Sequence, residues 1–336
     1  MSSLFSSPSP LPQFREDLLS DPEYTRKKIT LTDGRMMSYS ECGNLESGHP
    51  VLFQMGLMGS SLAVIAVHEQ AVKADLRLIC LDYPGIGEST NVPNRTMLDW
   101  GSDVEEFFQQ VLSGHDKISL LGHCMGVPHI MAAWPKLSHR VSHITLVAPW
   151  VGETQTNPWW MRNIVQKLPG QSTYLPAVSA SVLAGTTYFN YPMSYIVGDE
   201  SVSKLLRALH EIHLYNRFQG NGGNREMLRL AFESPNKEVF WDPILAKISE
   251  EFGTGDHTET IPVHVLHGSD DAMVSQEGCR KFVGWLQDMK LEVVFTTLEK
   301  ADHNSILLDP TYMANVLQTS RGNGSVSEIG LSPNVD

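Results

Sequence analysis

The sequence carries no surplus of basic residues: 25 Lys and Arg stand against 38 Asp and Glu, a formal charge of -13 over 336 residues. That balance argues against a protein built on nucleic acid or an anionic membrane, since both need a basic patch. No apolar run approaches the roughly 18 residues of a membrane span. The first residues, MSSLFSSPSPLPQF, lack the basic start and long apolar core of a signal peptide. They are read instead as a flexible arm over residues 1–27. Cysteine is scarce: Cys42, Cys80, Cys124 and Cys279 lie far apart, with no CxxC or zinc-ligand spacing. This favours reduced thiols and a cytoplasmic location. Matches to the glycosylation acceptor pattern at Asn94 and Asn323 are read as chance.

What is present is an ordinary globular composition, 41% hydrophobic and 19% charged, in a chain long enough for a sizeable core. Short β-rich runs alternate with helical ones, the pattern of an α/β fold. Strands are expected near Lys28–Thr32, Met36–Glu41, Val51–Gln54, Leu76–Asp82, Ile118–Leu121, His143–Val147, Val263–His267 and Leu291–Thr297. Asp33-Gly34 between the first two signals a hairpin, so the sheet should open antiparallel. Helices are expected over Ser61–Ala74, Asp103–Leu112, Met125–Lys136, Gln276–Met289 and Pro310–Thr319. Strands separated by helices should be parallel. The predicted fold is therefore an eight-stranded, mostly parallel sheet with helices on both faces. The alternation stops over residues 150–260, which are read as a helical cap inserted after the sixth strand. The core then comprises residues 28–149 and 261–319, and residues 320–336, with little to bury, should be disordered.

Ile118–Trp134 reads as a buried strand, a turn and a helix, and the turn is Gly122-His123-Cys124-Met125-Gly126. A G-x-S-x-G elbow holds its central residue on a tight strand-to-helix turn, with glycines where the backbone is crowded. The following helix directs backbone N–H groups and partial positive charge at that residue. Here the residue is Cys124. HGSDDAMVS follows the seventh strand and EKADHNSILL the eighth. Nucleophile, acid and histidine thus come in the order of an α/β-hydrolase triad.

With VLFQMGLMGSS after the third strand and DYPGIGEST after the fourth, the chain from about Lys28 to Leu317 resembles the α/β-hydrolase superfamily. Within it, the resemblance is to capped hydrolases related to proline iminopeptidases and epoxide hydrolases. That resemblance implies Cys124 as nucleophile, His303 as base and Asp271 as acid. Asp271 is taken over Asp270 because the family's acid falls three residues after the loop glycine, here Gly268. It further implies the backbone N–H groups of Leu57 and Met125 as oxyanion donors. The family's serine is Cys124 here, its usual His-Gly is Met55-Gly56, and Val127-Pro128 opens the elbow helix. Cysteine elbows occur in dienelactone hydrolases and polyester synthases of the superfamily. A cysteine beside a histidine and a helix N-terminus favours the reactive thiolate.

Bland readings stand beside these. His123 lies inside the motif but is read as structural. The His210-Glu211-Ile212-His213 run has histidines three apart instead of four, so no metal is expected there, and no cofactor elsewhere. The insertion is rich in aromatics: Trp150, Trp159, Trp160, Tyr174, Tyr188, Phe189, Tyr191 and Tyr195. Met58, Trp150, Trp159, Trp160 and Tyr188 are the candidate substrate-binding residues, implying an apolar small-molecule partner. The expected activity is covalent acyl chemistry on an ester, lactone or thioester, by hydrolysis or acyl transfer, in a natural-product context. Cyclisation or C–C cleavage is the variant on the same scaffold. A receptor-like ligand-binding protein is the rival from another class.

Overall fold

The computed structural model describes residues 15–57, 59–152, 211–212, 214–216, 218–220, 222–233, 241–252 and 261–322. Eight strands form one sheet: β1 Lys27–Thr30, β2 Met36–Gly43, β3 His49–Gln54, β4 Leu76–Leu81, β5 Ile118–His123, β6 Val141–Val147, β7 Val263–Gly268 and β8 Val293–Leu298. Their order is β1-β2-β4-β3-β5-β6-β7-β8. β2 runs antiparallel to both β1 and β4, and every other pairing is parallel. The expected hairpin turns at Gly34, whose φ of 86° suits a residue without Cβ, and its N–H donates to the Leu31 carbonyl at 2.8 Å. β5 is buried along its whole length, as a central parallel strand covered on both faces must be.

Helices cover both faces. On one, Met97–Phe107, Gly126–Leu137 and Asp242–Phe252 pack together; on the other, His68–Lys73 packs against Pro310–Ser320. The first pair approaches closely, because a Cβ on Gly101 would meet the Ala132 carbonyl oxygen at 2.5 Å. The Met97 helix begins six residues before the expected Asp103. Thr96 and Asp99 close a capping box there, with the Asp99 N–H donating to Thr96 Oγ1 and the Thr96 N–H to Asp99 Oδ2. The single helix expected over Ser61–Ala74 is instead a 3-10 run, Ser61–Val67, followed by an α-helical turn and a half, His68–Lys73.

Three expected boundaries move. The arm does not extend to residue 27: Glu16–Ser20 form a 3-10 turn that buries Leu18 and Leu19, and the Thr25 hydroxyl donates to the Leu19 carbonyl at 3.1 Å. The tail does not begin at residue 320. Ser320 is buried and donates to Thr145 Oγ1 at 3.0 Å, and Arg321 reaches the Ala74 carbonyl and Asp75. The segment after β6 is helical where described, with Gly222–Leu228 and Asp242–Phe252, but the second of these belongs to the core. Trp241 before it is buried against Phe282 and donates to the Val151 carbonyl at 2.8 Å, and Phe252 stacks on Trp134.

The rest of the described insertion rests on the loop after β4, at the carboxyl edge of the sheet. The Tyr215 hydroxyl donates to Asp82 at 3.1 Å, and Gly223 is so close to Gly85 that a Cβ there would meet the Gly85 carbonyl at 2.4 Å.

Candidate active site

Cys124 follows β5 directly and has φ 51°, in the left-handed region that an elbow requires. Its own N–H donates to the Val147 carbonyl at 2.9 Å, and its carbonyl accepts from Val127 and Trp150. Crowding explains the glycines. A Cβ on Gly126 would lie 2.0 Å from the Gln54 carbonyl oxygen, and one on Gly122 would lie 2.9 Å from the Val127 Cα. The elbow helix runs Gly126–Leu137 with Pro128 in its first turn, where an N–H would have no helical acceptor.

His303, on the loop after β8, places Nδ1 2.8 Å from Asp271 Oδ2, on the loop after β7. Asp271 Oδ1 accepts the Met273 and Val274 N–H groups at 2.8 and 2.9 Å. The carboxylate side chain is fully buried. Burial alone would raise its pKa, but His303 and the two amides outweigh burial and hold it below the ordinary range. Cys124 lies close enough to His303 for its thiol to act on the imidazole. Burial opposes an imidazolium here, yet the negative charge of Cys124 and the bond to Asp271 prevail, pushing His303 up to about 10. The three residues drawn from distant parts of the chain therefore meet, and the Asp271 choice over Asp270 fits this geometry.

His123 is buried, and its ring lies 4.7 Å from that of His303. Burial and the charge on His303 push it down to about 3, so it is neutral, and its Nε2–H donates to the His303 carbonyl at 3.2 Å. That is a structural bond, as the motif reading expected.

The Met55–Leu57 loop touches the elbow: a Cβ on Gly56 would lie 3.0 Å from that of Cys124. The Gly59 N–H donates to the Gly56 carbonyl at 3.1 Å, and the Tyr83 hydroxyl donates to the Met55 carbonyl at 2.7 Å. Neither the Leu57 nor the Met125 amide donates to any protein acceptor among the described residues. Of the substrate-binding candidates, Trp150 is buried at the end of β6. Met58, Trp159, Trp160 and Tyr188 lie outside the described residues, as do His210 and His213. Among the described residues no group of His, Cys, Asp or Glu has the arrangement of a metal site. No helix among them is long and apolar enough to cross a membrane.

Tyr83 and His129 are parts of this region that sequence reading missed. The His129 Nδ1–H donates to the Met125 carbonyl at 2.7 Å, and its ring lies 4.3 Å from that of Tyr83. Their only signal was a polar group within an apolar run.

No curated protein matches the chain in sequence. Solved structures do match in shape. The haloalkane dehalogenase DatA of Agrobacterium tumefaciens C58 has a TM-score of 0.62 at 15% identity, over 90% of this chain and 97% of its own. The esterase RhEst1 from a Rhodococcus species has a TM-score of 0.57 at 21% identity, over 87% and 97%. A thermophilic esterase from Thermogutta terrifontis has 0.55 at 20%, over 91% and 99%. At these identities the likeness speaks to fold alone. A family model described as the alpha/beta hydrolase fold matches residues 49–310, most of the chain and every element that carries the elbow, Asp271 and His303, and so the protein belongs to the α/β-hydrolase fold family.

Proposed function

We propose that the protein is an ester-acting hydrolase or acyl-transfer enzyme that works through a thioester on Cys124. One observation carries this reading: His303 is bonded to a fully buried Asp271 and lies within electrostatic reach of Cys124, beside the two unspent amides of Leu57 and Met125. A receptor needs a pocket but has no use for that relay.

In the proposed cycle the Cys124 sulfur attacks the acyl carbonyl carbon, forming a carbon–sulfur bond while the carbonyl π pair moves onto oxygen. The Leu57 and Met125 amides receive that oxyanion, each donor contributing roughly 3 kcal/mol. Its collapse breaks the bond to the leaving oxygen, which takes the proton from His303 Nε2. His303 is then a free base that removes a proton from water, or from another nucleophile, as this attacks the thioester. Asp271 keeps the ring in the tautomer with Nδ1 protonated throughout. Met55, Leu57, Met125 and Trp150 adjoin the elbow and favour an apolar acyl group.

Intact mass spectrometry after incubation with a panel of aryl esters and thioesters tests this. The expected result is an acyl adduct on Cys124 that Cys124→Ala lacks. If no donor leaves an adduct, the ligand-binding reading replaces the enzyme.

A further inference from the structure

Arg95 sits in the loop that leads into the Met97–Phe107 helix, one residue before the Thr96 cap. It is 4% exposed. Its Nη2 contacts only the thioether sulfur of Met227, at 3.2 Å, and Nε and Nη1 have no partner at all. A buried guanidinium without an acceptor is among the costliest arrangements a protein can hold. Its one other local partner is the face of the Tyr83 ring, a cation–π contact that leaves the N–H groups without an oxygen acceptor. The position beside a helix N-terminus disfavours a cation. The two carboxylates whose charge bears on it are committed elsewhere: Glu226 to Arg229 and Asp103 to Arg35. Neighbouring His129 is neutral, its Nδ1–H already given to Met125, and brings no negative charge.

The location links this cation to the reaction. The Arg95 guanidinium lies 5.7 Å from the centre of the Tyr83 ring, and the Tyr83 hydroxyl holds the Met55 carbonyl beside the elbow. Cys124 is close enough for its charge to bear on that phenol. Arg95 is thus about one aromatic ring from the oxyanion loop, between the core and the inserted helix that carries Met227. Trp100 adds a further buried N–H without a partner, with its ring 5.1 Å from that of Tyr83.

We propose that Arg95 anchors a carboxylate carried by the substrate, so that the preferred acyl donor is a half-ester of a dicarboxylic acid and not a wholly apolar ester. The acid end displaces the Met227 thioether and takes the Nε–Nη2 edge as a bidentate pair. The reacting carbonyl then lies a short aliphatic chain away, at Cys124. This inference rests on the acyl-enzyme reading above only for where the chemistry occurs.

The experiment compares 4-nitrophenyl monoesters of succinic, glutaric and adipic acid with their neutral methyl-capped counterparts. Acylation transfers the acyl group to the Cys124 sulfur and releases 4-nitrophenolate, and intact mass gives the rate. At one chain length the free acid should react about tenfold faster or more, the value of a charge-assisted bidentate pair. Arg95→Met should abolish that ratio, and Arg95→Lys, which keeps the charge but not the fork, should leave part of it. The unliganded Arg95→Met protein should melt no lower than wild type, because an unpaired buried charge has gone. Four results overturn the proposal: no charge preference in wild type at any length, a preference that survives in Arg95→Met, equal loss with both donor types, or a melting point several degrees lower. If neither donor modifies Cys124, the acyl-enzyme reading has failed by itself. The anchor is then read from melting in glutarate against chloride at matched ionic strength. Stabilisation of wild type but not of Arg95→Met supports it, and equal stabilisation overturns it.

Discussion

His303 and Asp271 share one 2.8 Å bond from Nδ1 to Oδ2, and the other Asp271 oxygen is occupied by the Met273 and Val274 amides. The carboxylate is thus fixed before it meets the ring. In Asp271→Asn, the amide oxygen can keep both backbone bonds, which leaves its NH2 facing His303. That NH2 requires a bare Nδ1 and hence a proton on Nε2, the nitrogen that must serve Cys124. Acylation should fall by two to four orders of magnitude, roughly the cost of the wrong tautomer elsewhere. The melting point should change by only a few degrees. Stopped-flow acylation beside calorimetry checks both halves.

Cysteine labelling gives the second test. Burial pushes the Cys42, Cys80 and Cys279 thiols well above the usual range, so they serve as slow internal controls. At pH 7 iodoacetamide should modify Cys124 first, and His303→Ala should remove that advantage. Conversely, Cys124→Ala deletes the charge that does most to raise His303. The imidazole titration, near 10 in wild type, should move to lower pH, and histidine NMR reads the shift. Equal labelling of all four cysteines would sink the nucleophile reading.

Asp82 offers a pH test unrelated to catalysis. It is fully buried, and burial drives it up to about 6 despite bonds from Ser38, Ser61 and Tyr215. An acid raised in the folded state keeps a proton that the unfolded chain has already lost. Stability should therefore fall as pH climbs from about 4 to about 6, by up to roughly 3 kcal/mol, with no further change from this group above that window. Asp82→Asn should flatten the decline. Urea midpoints between pH 4 and 7 measure the difference.

Two glycines provide a contrast in sign. Gly126→Ala drives a methyl against the Gln54 carbonyl, a backbone atom that cannot yield, and should cost about 3 kcal/mol or more. Gly284, inside the Gln276–Asp288 helix, has nothing within 4 Å of an added Cβ. Gly284→Ala should raise stability by up to about 1 kcal/mol. Thermal unfolding of both variants decides the matter.

All eight strands were legible, with ends within about two residues: the central parallel ones because a sheet covered on both faces leaves continuous apolar runs, the first two through the Asp33-Gly34 hairpin signal between them. The elbow at Cys124 is a local pattern of strand, turn and helix, whereas Asp271 and His303 were proposed through the family resemblance, and the fold brings these two within 2.8 Å. What escaped notice depends on contacts made across the chain. Arg95 meets Met227 at a separation of 132 residues, and Tyr83 meets Met55 at 28. Leu18 and Leu19 follow a serine- and proline-rich stretch, and only the finished core supplies the surface that buries them. The Ser61 helix was overcalled because period alone says nothing of Asp82, which captures the Ser61 N–H and hydroxyl.

The left-handed backbone at residue 124 is held by the Val147 carbonyl, the Val127 and Trp150 amides and the neighbouring glycines. None of these restraints uses the side chain. Serine and cysteine codons differ by a single base, so a lineage on this scaffold can cross between oxygen and sulfur nucleophiles in one mutational step without rebuilding the turn. Selection after such a step falls on proton handling by His303, because a hydroxyl must lose its proton during attack whereas a thiolate has already lost it. Descendants of the same backbone can thereby diverge in the pH at which they work and the leaving groups they accept while their folds remain superimposable.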